Sequence, residues 1–299
     1  MIETAALFAL CAAFLLALRD IFGRFGVRGL DPIVGTAVSA VAGLPVLLAI
    51  SLALGDFARP WPARSWTMAS IALAGILRIT AARTLLFAAS QHIGAARAGT
   101  LGTTSAFFSM ALGIAFLDER LTLMIAAGAA LVIGGSVLMA RSRPGGASPQ
   151  AEGLSYLKGV ALALLSALVF GTSSVLVRPA VNDFASPNLA NLYANLFAAL
   201  CFLPFCWGRL GATRMGEWSL GAWAYLIAAG SAASLGVTFM YLALARAPVV
   251  FVTPISQSRP FFLVLVSWLF LQAHESVNRR VAWGAAAIVV GTGVLILSR

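Results

Sequence analysis

Apolar residues arrive in this chain in long blocks, and polar residues collect in short breaks between them. Ten blocks can be drawn, at 3–23, 32–54, 66–89, 95–117, 121–140, 156–177, 187–207, 219–243, 248–271 and 281–298. Each approaches the length, about 20 residues, that crosses bilayer hydrocarbon as an α-helix. Lipid offers the backbone no hydrogen-bond partner, so a spanning segment must be a helix or part of a closed barrel. The two-residue alternation of barrel strands is missing. The pattern therefore predicts an all-α integral membrane protein of ten transmembrane helices. Its connections are turn-like, as at Gly29–Leu30–Asp31–Pro32 and Asp118–Glu119–Arg120. The longest run between blocks, Arg141 to Gly153, contains Pro144, Gly145, Gly146, Ser148 and Pro149, a linker composition that divides the chain near its midpoint.

The two parts can be laid on each other. Glu119 lies 156 residues before Glu275, and at that offset Gly128 meets Gly284 and Gly135 meets Gly291. Upstream, Asp31–Pro32 meets Ser186–Pro187, Ala74–Gly75 meets Ala229–Gly230, and Arg24 meets Arg178. Pro45 and Pro204 both fall within the second block of their half. The expected units are a first repeat at 1–143, a linker at 144–152 and a second repeat at 153–299. Five spans is an odd number, so the second repeat starts from the opposite side of the membrane. Such inverted repeats around a central cavity are the architecture of many alternating-access transporters.

Composition supports this picture and removes others. Of 299 residues, 61% are hydrophobic and 10% charged, against about 25% charged in a soluble domain. Mean hydropathy is +0.95. The net charge of +10 fits loop arginines beside anionic lipid, and no basic stripe on a polar domain invites nucleic acid. Cys11, Cys201 and Cys206 all sit in apolar blocks and form neither a disulfide framework nor a metal cluster. The first block begins with Glu3 and lacks a basic leader, so it is expected to remain as the first span. Trp61, Trp66, Trp207, Trp218, Trp223 and Trp268 fall near block ends, as an interfacial aromatic belt requires.

The run Phe170–Gly171–Thr172–Ser173–Ser174–Val175–Leu176–Val177–Arg178 is similar to the first-span motif of EamA-type repeats in the drug/metabolite transporter superfamily. Tyr241–Leu242–Ala243–Leu244 with Pro248, and the turns holding Glu119 and Glu275, fit the same family. The first half departs from the motif, with Leu16–Ala17–Leu18–Arg19–Asp20 in the corresponding place. The resemblance implies a cavity lined by the first, third and fourth helices of each half, with the fifth packed outside.

Arginines inside the apolar blocks carry the chemistry. Arg78 and Arg259 lie near the middles of the third and ninth blocks; Arg83 follows Arg78, Arg97 opens the fourth block, and Arg19 closes the first beside Asp20. An arginine at the bilayer centre costs about 3 kcal/mol on insertion scales unless it finds water, a carboxylate or a ligand. Arg78 and Arg83 stand five residues apart, roughly 140° around a regular helix. The purely structural reading is snorkelling or bonding to helix carbonyls. The ninth block also reads Val252–Thr253–Pro254–Ile255–Ser256–Gln257–Ser258–Arg259–Pro260, two prolines around a polar stretch. Its counterpart in the fourth block is Gly99–Thr100–Leu101–Gly102–Thr103–Thr104–Ser105. Interrupted helices at matching places in two halves point to a substrate site.

Enzyme signatures are missing. His274–Glu275–Ser276–Val277–Asn278 lacks a second histidine, no P-loop or G-x-S-x-G appears, and Ser155–Tyr156–Leu157–Lys158 matches S-x-x-K at a block mouth. No acidic residue lies between Leu10 and Ala17 to trade a proton for a cationic drug. The sequence thus predicts a multi-pass protein of the cell (inner) membrane, monomeric or homodimeric, without metal or cofactor. It is expected to move a small anionic or zwitterionic metabolite by alternating access. Arg78, Arg83 and Arg259 would hold the anion, Thr103, Thr104, Ser256 and Gln257 its polar groups, and Tyr241 and Phe239 would form an aromatic wall. Arg19, Asp20 and Arg97 are candidates for gating or ion pairing. The alternatives are an amino-acid or broad-spectrum exporter of the same fold and, in another class, a membrane scaffold or integral membrane enzyme.

Overall fold

The computed structural model describes residues 2–26, 32–58, 64–141, 154–184, 186–212, 218–270 and 279–297. Among them every regular element is helical. The first half holds α1 (Ile2–Gly26), α2 (Pro32–Ala53), α3 (Ser65–Gly75), a π-helical segment (Ile76–Ala81), α4 (Ala82–Ile93), α5 (Ala95–Gly102), α6 (Ser105–Leu117) and α7 (Leu123–Arg141). The second holds α8 (Leu154–Ala180), α9 (Pro187–Ala212), α10 (Leu220–Arg246), α11 (Val249–Ser256), α12 (Arg259–Phe270) and α13 (Arg279–Leu297). Each of the ten expected blocks corresponds to one helical stretch; α3–α4, α5–α6 and α11–α12 are single spans with internal irregularities. Among the described residues eight stretches are long and apolar enough to cross a membrane, and Leu123–Met139 is a shorter apolar helix. The remaining block is α9, a helix of 26 residues with Pro204 inside it. The linker expected at 144–152 lies outside the described residues, as do Glu275, His274 and Trp61.

The helices pack in pairs that exchange under a two-fold operation. α1 lies on α10 as α8 lies on α4; α2 lies on α10 as α9 lies on α3; α6 lies on α8 as α11 and α12 lie on α1. α2 with α9, α6 with α11 and α7 with α13 are their own images. With five spans per half, the axis that performs this exchange must lie in the membrane plane.

Close approach is achieved by removing side chains, the device helices use where lipid gives no hydrophobic drive to associate. A Cβ on Gly75 would collide with the Ala194 carbonyl, and one on Gly230 with the Ser39 carbonyl, two contacts related by 155 residues. The α7–α13 crossing is built likewise. A Cβ on Gly135 would fall 2.6 Å from Gly284 O, and one on Gly128 2.9 Å from Gly291 O. The glycine pairs read from the sequence therefore meet one another across the two halves. Large apolar side chains are exposed on the outside of the bundle, among them Leu123, Leu157, Phe116 and Trp207, as a lipid-facing surface requires.

Polar groups tie the halves at the end of the bundle that carries the chain's N-terminus. Ser186 Oγ donates to Asp56 at 2.8 Å, and Thr67 Oγ1 donates to Asp183 at 3.0 Å. Deeper in, three asparagines on one face of α9 form a buried ladder. Asn188 Nδ2 donates to Ser51 Oγ at 2.6 Å, Asn191 Nδ2 to Ser234 O at 2.9 Å, and Asn195 Nδ2 to Asn191 Oδ1 at 2.6 Å.

Replacing Gly135 by Leu should lower the recovery and thermal midpoint of the purified protein by an overpacking cost of about 1–3 kcal/mol. Ligand selectivity measured on the folded fraction should be unchanged.

Candidate functional site

Five ionisable residues converge where α1, the α3–α4 span and α12 meet. Asp20 Oδ1 accepts from Arg19 Nε at 3.0 Å, and Arg259 Nη1 stands 3.7 Å from Asp20 Oδ2. The Asp20–Arg259 pair joins the two halves. Arg83 lies within electrostatic range of Arg19, Asp20, Arg259 and Arg78, and Arg259 within range of Arg19 and Arg78. The side chains of Arg19, Asp20 and Arg259 are only 20%, 28% and 32% exposed.

Arg78 owes its place to the π-helical segment, which the hydrophobic pattern did not reveal. A π turn bonds five residues apart instead of four and so widens the helix locally. Arg83 follows in α4, within electrostatic range of Arg78, and the wider turn narrows the roughly 140° that regular geometry would put between them. The widened turn is held by neighbours: Ser166 Oγ on α8 donates to Ala82 O at 2.7 Å, and Thr80 Oγ1 donates to Ala198 O on α9 at 3.3 Å. Arg78 Nε donates to Ser173 Oγ at 3.2 Å, and its guanidinium carbon lies 5.6 Å from the centre of the Tyr241 ring. Tyr241 is 1% exposed, so the cation–π contact is made in a dry environment, where it is strongest. Ser173 belongs to the motif that carries the family resemblance.

Several donors in the cluster are open. Arg259 Nε is buried with no hydrogen-bond partner among the described residues. Arg78 uses only its Nε, and no hydrogen bond or ion pair engages Arg83 among the described residues.

The interrupted segments fall at Thr103–Thr104 and Gln257–Ser258, matching positions of the two halves. Both are tightened turns rather than unwound chain. Thr104 N donates to Leu101 O at 3.0 Å and Ser258 N to Ile255 O at 3.0 Å, spacings of three residues. The breaks meet across the pseudo-two-fold, since Gln257 Nε2 donates to Ser105 Oγ at 2.9 Å and Ser136 Oγ to Gln257 O at 2.6 Å. The hydroxyls of Thr103, Thr104 and Ser256 go to carbonyls three residues back, Thr100, Leu101 and Thr253. In this conformation they satisfy their own helices. Phe239 packs on Phe8 with ring centres 5.8 Å apart, and Arg97 is exposed at the start of α5.

Glu119 fixes how α11 enters the bundle. Its Oε1 accepts from Val249 N at 2.7 Å and its Oε2 from Val250 N at 2.9 Å, so one carboxylate closes the N-terminus of a helix in the other half. Arg178 Nη1 donates to Leu244 O at 2.6 Å, with its Nε 4.0 Å from Glu119.

Two cavities lie nearby. One of about 320 Å³ is walled by Leu10, Phe261, Phe262, Ile288 and Thr292 among others, the second of about 360 Å³ by Asn182, Phe184, Leu242 and Arg246 among others. Neither has Arg78 or Arg259 in its wall.

A two-repeat bundle of membrane-crossing helices, broken at matching places and charged where the halves meet, defines a polytopic membrane transporter. The EamA-like transporter family profile matches residues 3–141 and again 157–297, and the chain belongs to that family. An uncharacterised transporter encoded 3′ of cobO in Sinorhizobium sp. is 33% identical over 135 residues, 44% of this chain and 93% of that protein. A crystal structure 20% identical to this chain superposes with a TM-score of 0.77 over 98% of it and 96% of its own chain, which shows a shared fold.

Glu119→Ala should cost about 1–2 kcal/mol of stability, the usual worth of a helix cap, read as a lowered thermal midpoint. Glu119→Gln, which keeps acceptor oxygen but not charge, should recover part of it.

Proposed function

We propose that this transporter moves a small anionic or zwitterionic metabolite across the cell (inner) membrane by alternating access, with the arginine cluster as its substrate site. The observation that carries the reading is the set of open guanidinium donors on Arg78, Arg83 and Arg259 in a low-dielectric bundle. Guanidinium forks match carboxylate and phosphate oxygens two at a time. Tyr241 supplies a rigid face that positions Arg78. Both halves contribute to the cluster, as a site reached from either side in turn requires.

Alternating access would work through the ties between halves. Ser186–Asp56, Thr67–Asp183 and the Glu119 cap all lie at the N-terminal end of the bundle. They would release for that end to open. Gln257 and Ser105 join the two helix breaks deeper in, where small backbone changes can hinge α12 against α11. Thr103, Thr104 and Ser256 would turn their hydroxyls to substrate only in that other state.

Asp20 favours a second reading within the same fold. A carboxylate among arginines is what an amino acid's ammonium group would seek, so an amino-acid exporter is the closest alternative.

Uptake by proteoliposomes loaded with candidate anions tests the proposal against a non-transporting scaffold, which would exchange nothing. Arg78→Ala and Arg259→Ala should each weaken binding of an anionic ligand by roughly 2–5 kcal/mol, the cost of truncating one partner of a buried charge pair. Lysine should rescue only in part, because it keeps the charge and loses the fork. Normal transport by both alanine variants would sink the anion reading and leave the amino-acid or broad-spectrum exporter.

A further inference from the structure

We propose that the preferred substrate is an organic oxyanion carrying two or more negative charges, and that Asp20 is an internal carboxylate which this substrate displaces. The inference rests on the transport reading above and narrows it.

Charge balance comes first. Arg19, Arg83 and Arg259 lie within electrostatic range of one carboxylate, Asp20, as does Arg24, and Arg78 lies within range of Arg19, Arg83 and Arg259. The surplus of positive charge sits in spans that offer little water to dissipate it. A zwitterion adds no net charge and leaves the surplus intact. A monoanion removes one charge, and a dianion removes twice as much.

Occupancy of Asp20 comes second. Its Oδ1 is held by Arg19 and its Oδ2 faces Arg259 at 3.7 Å. Both oxygens are directed at guanidiniums, so an incoming ammonium group would have to break those contacts and enter a field of like charge. An incoming oxyanion needs only to replace one carboxylate with another. The Arg259 contact is the loose one, longer than the 2.7–2.9 Å of a good charge-assisted hydrogen bond. Arg259 Nε, beside it, is buried and unpartnered. Arg259 therefore has a weak partner to give up and a donor with no partner among the described residues.

Geometry comes third. Arg78 and Arg83, within electrostatic range of each other, present donors from the first half. Arg259 presents its own from the second. Two separate oxyanion groups, or one phosphate with three oxygens, can bridge them as a single carboxylate cannot. Dicarboxylates and phosphate monoesters share this chemistry, and the ligand series separates them.

The experiment uses the full-length protein in nanodiscs of phosphatidylcholine, which excludes anionic headgroups. Dissociation constants are measured at one neutral pH for butyrate, 4-aminobutyrate, succinate and glycerol phosphate. Succinate, glycerol phosphate or both should bind at least about tenfold more tightly than butyrate and 4-aminobutyrate, within the range of ordinary coupling between sites. Which of the two leads identifies the source of the charge. Asp20→Asn removes the internal competitor and should tighten dianion binding by about tenfold or more.

Equal affinity for butyrate and succinate, or preference for 4-aminobutyrate, overturns the proposal, and so does weakened dianion binding in Asp20→Asn. If Arg78→Ala and Arg259→Ala still abolish binding in those cases, the anion-site reading survives its failure. No binding of any of the four by folded protein defeats both. Should Asp20→Asn not fold, the wild-type series alone decides.

Discussion

A guanidinium inside hydrocarbon must be compensated, and the site of this protein is organised by that requirement. The insertion penalty of about 3 kcal/mol per arginine is met in three ways here. Arg19 is paired with Asp20, Arg78 lies over the Tyr241 ring with its Nε on Ser173, and Arg259 reaches across the halves to Asp20. The first stays within α1, the second ties the α3–α4 span to α8 and α10, and the third ties α12 to α1. What is left over, the open donors of Arg83, Arg78 and Arg259, is what a ligand can use.

The scaffold that permits this junction is held by the absence of side chains more than by their presence. Helices in lipid gain little from burying leucine against leucine, so they associate where backbones can touch. Gly75 against Ala194 and Gly230 against Ser39 set the inner crossings, and the Gly128–Gly291 and Gly135–Gly284 contacts set the outer one. Close backbones also shorten the reach between polar groups. The asparagine ladder of α9 can therefore be satisfied by the Ser234 carbonyl and the Ser51 hydroxyl without water.

Much of this was legible in the sequence, and the rest was hidden for definable reasons. Block length predicted the helices because a bilayer sets a length, and the paired glycines marked a face for close helix approach because a seven-residue spacing keeps one face, although that α7 and α13 meet each other came only from the structure. The breaks at Thr103–Thr104 and Gln257–Ser258 were announced by glycine, hydroxyl and proline clusters, although the chain tightens there instead of unwinding. The π-helical segment left no trace, since the hydroxyl that bonds the carbonyl just after it, Ser166 to Ala82 O, comes from a distant helix. Asn188, Asn191 and Asn195 were visible as residues at helical spacing in an apolar block, a signal of a buried polar face that the search for charge passed over. Glu119 was noted as a turn residue, but that it caps α11 depends on the fold bringing position 249 beside it.

The duplicated scaffold carries an unduplicated charge. At the repeat offsets of 154–155 residues, Arg19 corresponds to Ser173, Asp20 to Ser174, Arg78 to Ala233, Arg83 to Thr238 and Arg259 to Ser105. Every charged member of the cluster thus has a small neutral residue as its image. In one case the structure brings the two kinds of position into contact, where Arg78 bonds to Ser173, the image of Arg19. Symmetric charge would place eight guanidiniums around one axis and double a cost the fold already has trouble meeting. Small partners leave room for long arginine side chains to cross the axis from one half toward the other. In the proposed mechanism the two-fold backbone would exchange its halves between states, while the arginine cluster stays a single object with a sign and a direction.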